Sequence, residues 1–468
     1  VSTKHLGDGA LLELTNTWKD SFLKNLGWVY ILTFIWIMVF TLLIALKYSD
    51  YKIGGPGAKK EFSNVSWISM LFSAGLGTGL LYAGPFDPMS HFFKNEELSH
   101  LNITDKFIRS LEICYLHWGL PAWFVYSSAG LVFALMSFNF NKKFEFSALI
   151  PKRFKKLRIS INILAILSII VGVITTFSLA VTQLNAGLNK VFPVIKISNV
   201  NTSFIILFIT LLATLSVVSG LKRGIKFLSL LNIGLVAILF IYALLHTPIG
   251  EVIGLTLEVT GRHLGNFTKD LFYTASLKDK SWLGGWTVLY WAWWGAWAPF
   301  VGLFIARISK GRTIKEFFVG TILAPTLIVC IWFTLFGFLS FQGYLDKSID
   351  FDLIYNGGAP YLALFSVLDT TLFPTLSTCL ALVCVTIFYV TSSDSGSYVV
   401  DMIASGGKKN PHSYLRIFWS LVEGLMAFVL FYFGGVKLIQ NLVILLSLPV
   451  VLYLSFGIYK VYEKLKTN

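Results

Sequence analysis

Tyr290-Trp-Ala-Trp-Trp-Gly-Ala-Trp-Ala-Pro-Phe-Val-Gly-Leu-Phe-Ile-Ala-Arg-Ile-Ser-Lys-Gly-Arg-Thr-Ile-Lys-Glu-Phe317 begins as an aromatic run and ends as a basic one. Trp291, Trp293, Trp294 and Trp297 fall within seven residues. On a helix, Tyr290, Trp293, Trp294 and Trp297 share one face. That face is a wall of π surface with little hydrogen-bonding capacity. It suits a methylated cation, which has no N–H to donate but is drawn to ring faces. The plainer alternatives are an aromatic packing face or an interfacial belt. A belt sits at a helix end, whereas here apolar sequence continues to Ile308. The basic stretch Arg307 to Lys315 then marks a membrane exit.

Working outward, the whole chain has the same character. Of 468 residues, 55% are hydrophobic and 13% charged, with a mean hydropathy of +0.71; soluble domains carry about 25% charged residues. Apolar runs near the membrane-spanning length recur throughout. They predict an all-α polytopic membrane protein with eleven spans, at 27–46, 66–86, 110–137, 159–184, 203–219, 227–247, 283–306, 318–342, 373–400, 413–434 and 438–459. The net charge of +14 is concentrated in segments 47–65, 138–158, 220–226, 307–317, 401–416 and 460–468, which hold 24 of the 38 Lys and Arg. These segments alternate along the chain, as the positive-inside rule requires. The charge therefore reads as topology, with the C-terminus cytoplasmic, and excludes a nucleic-acid surface. Residues 1–26, with an amphipathic stretch Leu11 to Leu26, are expected at the outer interface. The acidic loop with Asp346, Asp350 and Asp352 reads as a solvated face. Cys114, Cys330, Cys379 and Cys384 lie in apolar spans without Cys-x-x-Cys spacing, and the histidines show no ligand spacing. No nucleophile–base or metal motif supports an enzyme.

Two further spans carry unusual chemistry. In Trp67 to Met89, Gly75, Gly77 and Gly79 alternate. Spacing of two makes no helix-packing ridge, and three glycines in five residues weaken the helix. Unwound backbone at membrane depth survives where it lines a cavity, and its carbonyls can hold a cation. Span 373–400 ends in Thr391-Ser-Ser-Asp-Ser-Gly-Ser397, a hydroxyl run around an intramembrane acid. Thr391 and Ser392 could supply hydroxyls, and Ser73, Leu76 and Phe388 carbonyls, to a hard cation such as sodium. Back-bonding to the helix itself would account for single hydroxyls. In the third span, Trp123 and Tyr126 are helical neighbours and Pro121 should bend the helix. Glu423 reads as an interhelical hydrogen-bonding acid.

The tryptophan stretch resembles the signature of the betaine/choline/carnitine transporter family, down to Pro299-Phe-Val-Gly302 and Ala306-Arg-Ile-Ser-Lys-Gly-Arg-Thr-Ile314. The resemblance covers roughly Leu26 to Lys460. It implies an inverted five-helix-repeat, leucine-transporter-like fold. The repeats would be 66–250 and 283–460, preceded by an outer segment and peripheral helix at 1–65. An outer amphipathic linker, 251–282, would join them, and 461–468 would be a short cytoplasmic tail. The family's first helix has no counterpart among the eleven spans, and the long charged tail of osmosensing members is not expected here. The resemblance further implies an aromatic path and cage from Trp118, Trp123, Tyr126, Trp293, Trp294 and Trp297 beside Gly75, Gly77 and Gly79. It places a main sodium site at Ser73, Leu76, Phe388, Thr391 and Ser392, and a possible second ion at Thr175, Thr176 and Phe300. Span 159–184 lacks the fixed Arg that replaces sodium in sodium-independent members. Asp87 stands where the family usually has Glu, and Pro121 is displaced by one residue from the family's His-Pro. The expected activity is sodium-coupled import of a quaternary-ammonium osmolyte, glycine betaine foremost. The expected setting is multi-pass in the inner or plasma membrane, with membrane lipid around it, a homotrimer possible and no cofactor besides sodium. The alternatives are a proton-coupled or sodium-independent choline or carnitine carrier or exchanger, using Asp87, Glu112 or Asp394, and a non-transporting receptor for the same ligand.

Overall fold

The computed structural model describes residues 8–75, 77–219, 224–408 and 413–467. Their regular elements are helices, with one isolated antiparallel bridge between Lys52 and Thr313. Among them, ten helical spans are long and apolar enough to cross a membrane. They are α1 (Asp8–Lys47), the kinked pair α4 (Ile103–Trp118) and α5 (Leu120–Ala134), α6 (Lys155–Val191), α7 (Asn199–Ser219), α8 (Gly224–Leu244), α10 (Ser281–Ile308), α11 (Ile314–Leu345), α12 (Pro374–Ala404), α13 (Tyr414–Phe433) and α14 (Gly435–Thr467). The remaining span expected from sequence is the glycine stretch. It is split into α2 (Asn64–Gly75) and α3 (Gly79–Lys94), each too short to cross alone. The amphipathic helix α9 (Ile249–Leu271) lies between α8 and α10.

Two expectations are corrected. The Leu11–Leu26 stretch is not a separate interfacial segment. It continues into the first span as one 40-residue helix, about 60 Å long at 1.5 Å per residue, and Asn441 Nδ2 of α14 donates to Asn16 Oδ1 at 2.9 Å. Pro121 does not bend a continuous helix. The chain breaks at Gly119, and Pro121 sits in the first turn of α5, where its missing N–H costs nothing. Arg416, at the start of its span, is 7% exposed and pairs with Asp394 at 2.8 Å.

The tryptophan helix α10 is central. Its most apolar window is 94% buried, against 22% for α8 and 28% for α13, which form the rim. Close approach explains much of the signature. Gly302 meets Ala129 and the Gly130 backbone of α5, where any Cβ would overlap, and Gly295 does the same against Val451 of α14. The basic exit is folded back onto the bundle. Gly311 has φ +84°, and a Cβ there would overlap the Lys59 carbonyl group. Arg312, 2% exposed, lies 3.8 Å over the Trp67 ring and donates to Asn64 Oδ1 at 2.8 Å and the Phe62 carbonyl at 3.1 Å. Thr313 and Glu316 form a reciprocal capping box that starts α11. α9 is clamped to α4: Arg109 donates to Asp270 at 2.6 and 2.8 Å and to Glu112 at 2.6 Å, and Asn266 donates to Glu112 at 2.8 Å. Its Ile253, Leu257 and Leu264 remain exposed, as expected of an interfacial helix.

Candidate functional site

The break between α2 and α3 is where α4, α5, α6, α10 and α12 converge. Gly77 holds φ +55°, a left-handed conformation that glycine adopts without strain. Each of the three alternating glycines also seats an indole. A Cβ on Gly75 would stand 2.8 Å from the Trp123 ring edge. On Gly79 it would stand 3.0 Å from Trp118 and 3.3 Å from Trp293. On Gly77 it would stand 3.5 Å from Trp297, 3.5 Å from Thr176 and 3.6 Å from Ser392 Oγ. Weak helix propensity and close aromatic approach therefore come from the same residues.

Above the break lies a cavity of about 590 Å³, lined by Gly79, Tyr82, Phe86, Asp87, Trp118, Thr175, Trp286, Tyr290 and Trp293 among others. Its exposed lining side chains are those of Lys94 and Lys437, in segments on the opposite side of the spans from the basic loops. At its inner end Asp87, 1% exposed, accepts from Trp118 Nε1 at 2.9 Å and from Tyr290 Oη at 2.6 Å, both on Oδ2. Asp87 Oδ1 has no hydrogen-bond partner. Trp293 and Trp294 are nearly parallel at 5.1 Å and 9°, and Trp118 meets Trp294 edge-on at 4.8 Å. Trp294 Nε1 donates to the His117 carbonyl at 2.7 Å, which sets its indole behind the cavity wall. Trp118, Trp293, Gly79 and Thr175 are thus brought together with Asp87 and Tyr290. Trp123, Tyr126, Trp297, Gly75 and Gly77 form a lower, fully packed layer. There Trp123 and Tyr126 meet at 5.8 Å and 81°, and Phe300 packs on Trp297 at 5.4 Å.

The hydroxyls sort by what their protons do. Thr391 donates to the Ile387 and Phe388 carbonyls at 2.9 and 3.0 Å, and Thr175 to Val171 at 2.9 Å. Ser392 Oγ, beside Gly77, and Thr176 Oγ1, whose methyl faces Gly77, are buried and have no partner among the described residues. The Thr78 hydroxyl donates to the Thr176 carbonyl at 3.3 Å. Two unpaired buried hydroxyl oxygens beside an unwound turn fit a small hard cation, and Thr391 keeps lone pairs after donating its proton. Ser73 lies in the last turn of α2, and Leu76 lies outside the described residues.

The acids named as proton carriers are mostly engaged. Glu112 is held by Arg109 and Asn266. Asp394 accepts from Arg416 and from Ser216 at 2.8 Å. Glu423 accepts from Ser393 at 2.8 Å and Ser397 at 3.2 Å, the interhelical role read from sequence. Tyr82, Phe86, Trp286, Lys437 and Gln440 carry no site signal in the sequence, because only the meeting of α3, α10 and α14 brings them to one cavity. Tyr290 was visible on the aromatic face, but its bond to Asp87 was not.

The profile described as "BCCT, betaine/carnitine/choline family transporter" matches residues 6–468. The glycine betaine transporter OpuD of Bacillus subtilis is 33% identical over 454 residues, covering 95% of this chain and 87% of its own. A glycine betaine/proline/choline transporter of Vibrio parahaemolyticus is 32% identical over 91% of this chain and 80% of its own. A glycine betaine transporter of Acinetobacter baylyi is 31% identical over 96% and 69% respectively. With a match that runs through every span and a broken helix set against the tryptophan wall, this multi-pass membrane protein belongs to the betaine/carnitine/choline transporter family.

Proposed function

We propose that this transporter imports a quaternary-ammonium osmolyte, glycine betaine foremost, by sodium symport with alternating access. The observation that carries the reading is the inner end of the cavity. There the rings of Trp118, Tyr290 and Trp293 stand with Asp87 around Gly79, open to the face away from the basic loops. Ring faces attract a methylated cation by about 0.5–2 kcal/mol each, and Asp87 adds charge without offering an N–H. The names of the relatives from Bacillus and Acinetobacter point to the same substrate.

Ser392 and Thr176, with the Phe388 carbonyl and Thr391, would hold the sodium ion, which supplies a positive charge that pins the unwound turn at Gly77. Binding there would favour the closed arrangement of α2 and α3 against α12, so that ion and substrate sites are linked by one population shift. The lower indole layer, Trp123, Tyr126 and Trp297, would form the inward path once the bundle rocks. Uptake of radiolabelled betaine, choline and carnitine into proteoliposomes, with and without a sodium gradient, tests the reading. Sodium-dependent accumulation of betaine is expected. Betaine uptake that ignores sodium replacement but follows a pH gradient would favour proton coupling instead. Asp87 is the acid for that alternative, because Glu112 and Asp394 are each paired with an arginine whereas Asp87 is held only by uncharged donors.

A further inference from the structure

The cavity is electrically asymmetric along its length. Its inner end carries the buried acid Asp87, and its outer end carries the exposed cations Lys94 and Lys437. Val436, Lys437, Gln440 and Val443 line it from one face of α14, and Lys437 and Gln440 are neighbours on that face at i and i+3. The two cations differ. Lys94 Nζ is anchored to the Tyr355 carbonyl at 2.9 Å. Neither the Lys437 ammonium nor the Gln440 amide has a partner among the described residues. α14 begins at Gly435, whose φ of 60° and ψ of −162° break the helix and turn this first helical face toward the cavity.

We infer that Lys437, with Gln440, is the carboxylate-binding end of this vestibule and makes it select zwitterions over simple cations. This rests on the reading of Trp118, Tyr290 and Trp293 as the ammonium end. A ligand with a methylated ammonium at one end and a carboxylate at the other matches the acid-to-cation gradient end for end. Its ammonium faces the rings and Asp87, and its carboxylate faces Lys437 and the Gln440 N–H groups. A trialkylammonium alcohol offers nothing to Lys437, and its charge meets a like charge at the mouth. The acid and aromatic rings are common to both ligands, so the discrimination sits on α14, away from the tryptophan helix.

The test is equilibrium binding to the purified full-length chain in lipid nanodiscs, read by tryptophan fluorescence, with glycine betaine and choline as the two probes. Exposed charge pairs are modest in strength. Lys437→Gln should therefore weaken betaine and slightly strengthen choline, moving their affinity ratio by about threefold. Lys437→Glu should move the betaine-to-choline affinity ratio by about tenfold, betaine weakening and choline strengthening, and Lys437→Arg should restore the wild-type ratio. The shift should shrink at high ionic strength. A ratio unmoved in Lys437→Glu, or both ligands weakened alike, would overturn the inference while the aromatic site stands. If the wild-type chain binds neither probe, the aromatic reading falls and this inference with it.

Discussion

Trp118 performs two tasks that substitution can separate. Its ring faces the cavity and its Nε1 donates to Asp87. Trp118→Ala removes both and should weaken betaine binding by about tenfold or more. Trp118→Phe keeps a ring, leaves Tyr290 as the remaining donor to Oδ2, and should lose less. Titration of both variants against wild type decides it, and an alanine variant within twofold of wild type would count against the site. Under the proposed sodium coupling, Gly77 and Ser392 would belong to the ion site. Ser392→Ala removes one of the two unpaired hydroxyl oxygens beside the broken turn. It should raise the sodium concentration for half-maximal uptake several-fold and leave betaine KM at saturating sodium nearly unchanged. An effect confined to betaine KM would move Ser392 out of the ion site.

Two elements are held by contacts that look like loop chemistry in sequence. The α10–α11 turn depends on Gly311, at φ +84° against the Lys59 backbone. Gly311→Ala combines backbone strain with overlap and should cost at least about 1–2 kcal/mol, seen as a lower unfolding midpoint in detergent. An unchanged midpoint would mean that the turn carries no tertiary constraint. The clamp holding α9 to α4 contains His263, which packs on the Tyr115 and Phe267 rings near Arg109 and Asp270. Burial pushes its imidazole down from the usual 6.5 to about 4. The docked state therefore holds His263 neutral, while the undocked state takes up a proton below about 6.5. Docking strength is complete above that pH and declines as pH falls toward about 4. Hydrogen exchange in α9, corrected for intrinsic rate, should rise over that window, and His263→Phe should flatten the rise.

Across the whole bundle, the pair Asp394–Arg416 ties α12 to α13, with Ser216 adding α7. Arg416→Ala leaves a buried acid uncompensated and should cost about 3–5 kcal/mol. The double substitution with Asp394→Ala should recover much of that loss. Thermal stability of the three proteins reads it, and a double variant no better than the single would show that the pair is not the source of the cost. The last two spans, α13 and α14, read only as scaffold in sequence, yet α14 lines the cavity through Val436, Lys437, Gln440 and Val443. α8 and α13 form the rim, and α7 shows lipid an exposed face that includes Phe204, Leu207 and Phe208, where hydropathy reports solvent and not role.

The spans, their alternation of charge, the broken glycine helix and the tryptophan face were all legible in the chain. Each depends on local composition or on a periodicity of a few residues. Gly75, Gly77 and Gly79 announce a weak helix whatever surrounds them. What they admit, namely Trp123, Trp297 and the Trp118–Trp293 pair, follows from how five helices meet. The same holds for Arg312 and Arg416, which count among the basic segments until folding buries them, and for Lys437, a lone cation until folding sets it on the lining of the cavity that holds Asp87. Hydropathy and helical period are properties of the segment, whereas burial, pairing and the direction of a cavity's field are properties of segments brought together, and only the tertiary structure decides them.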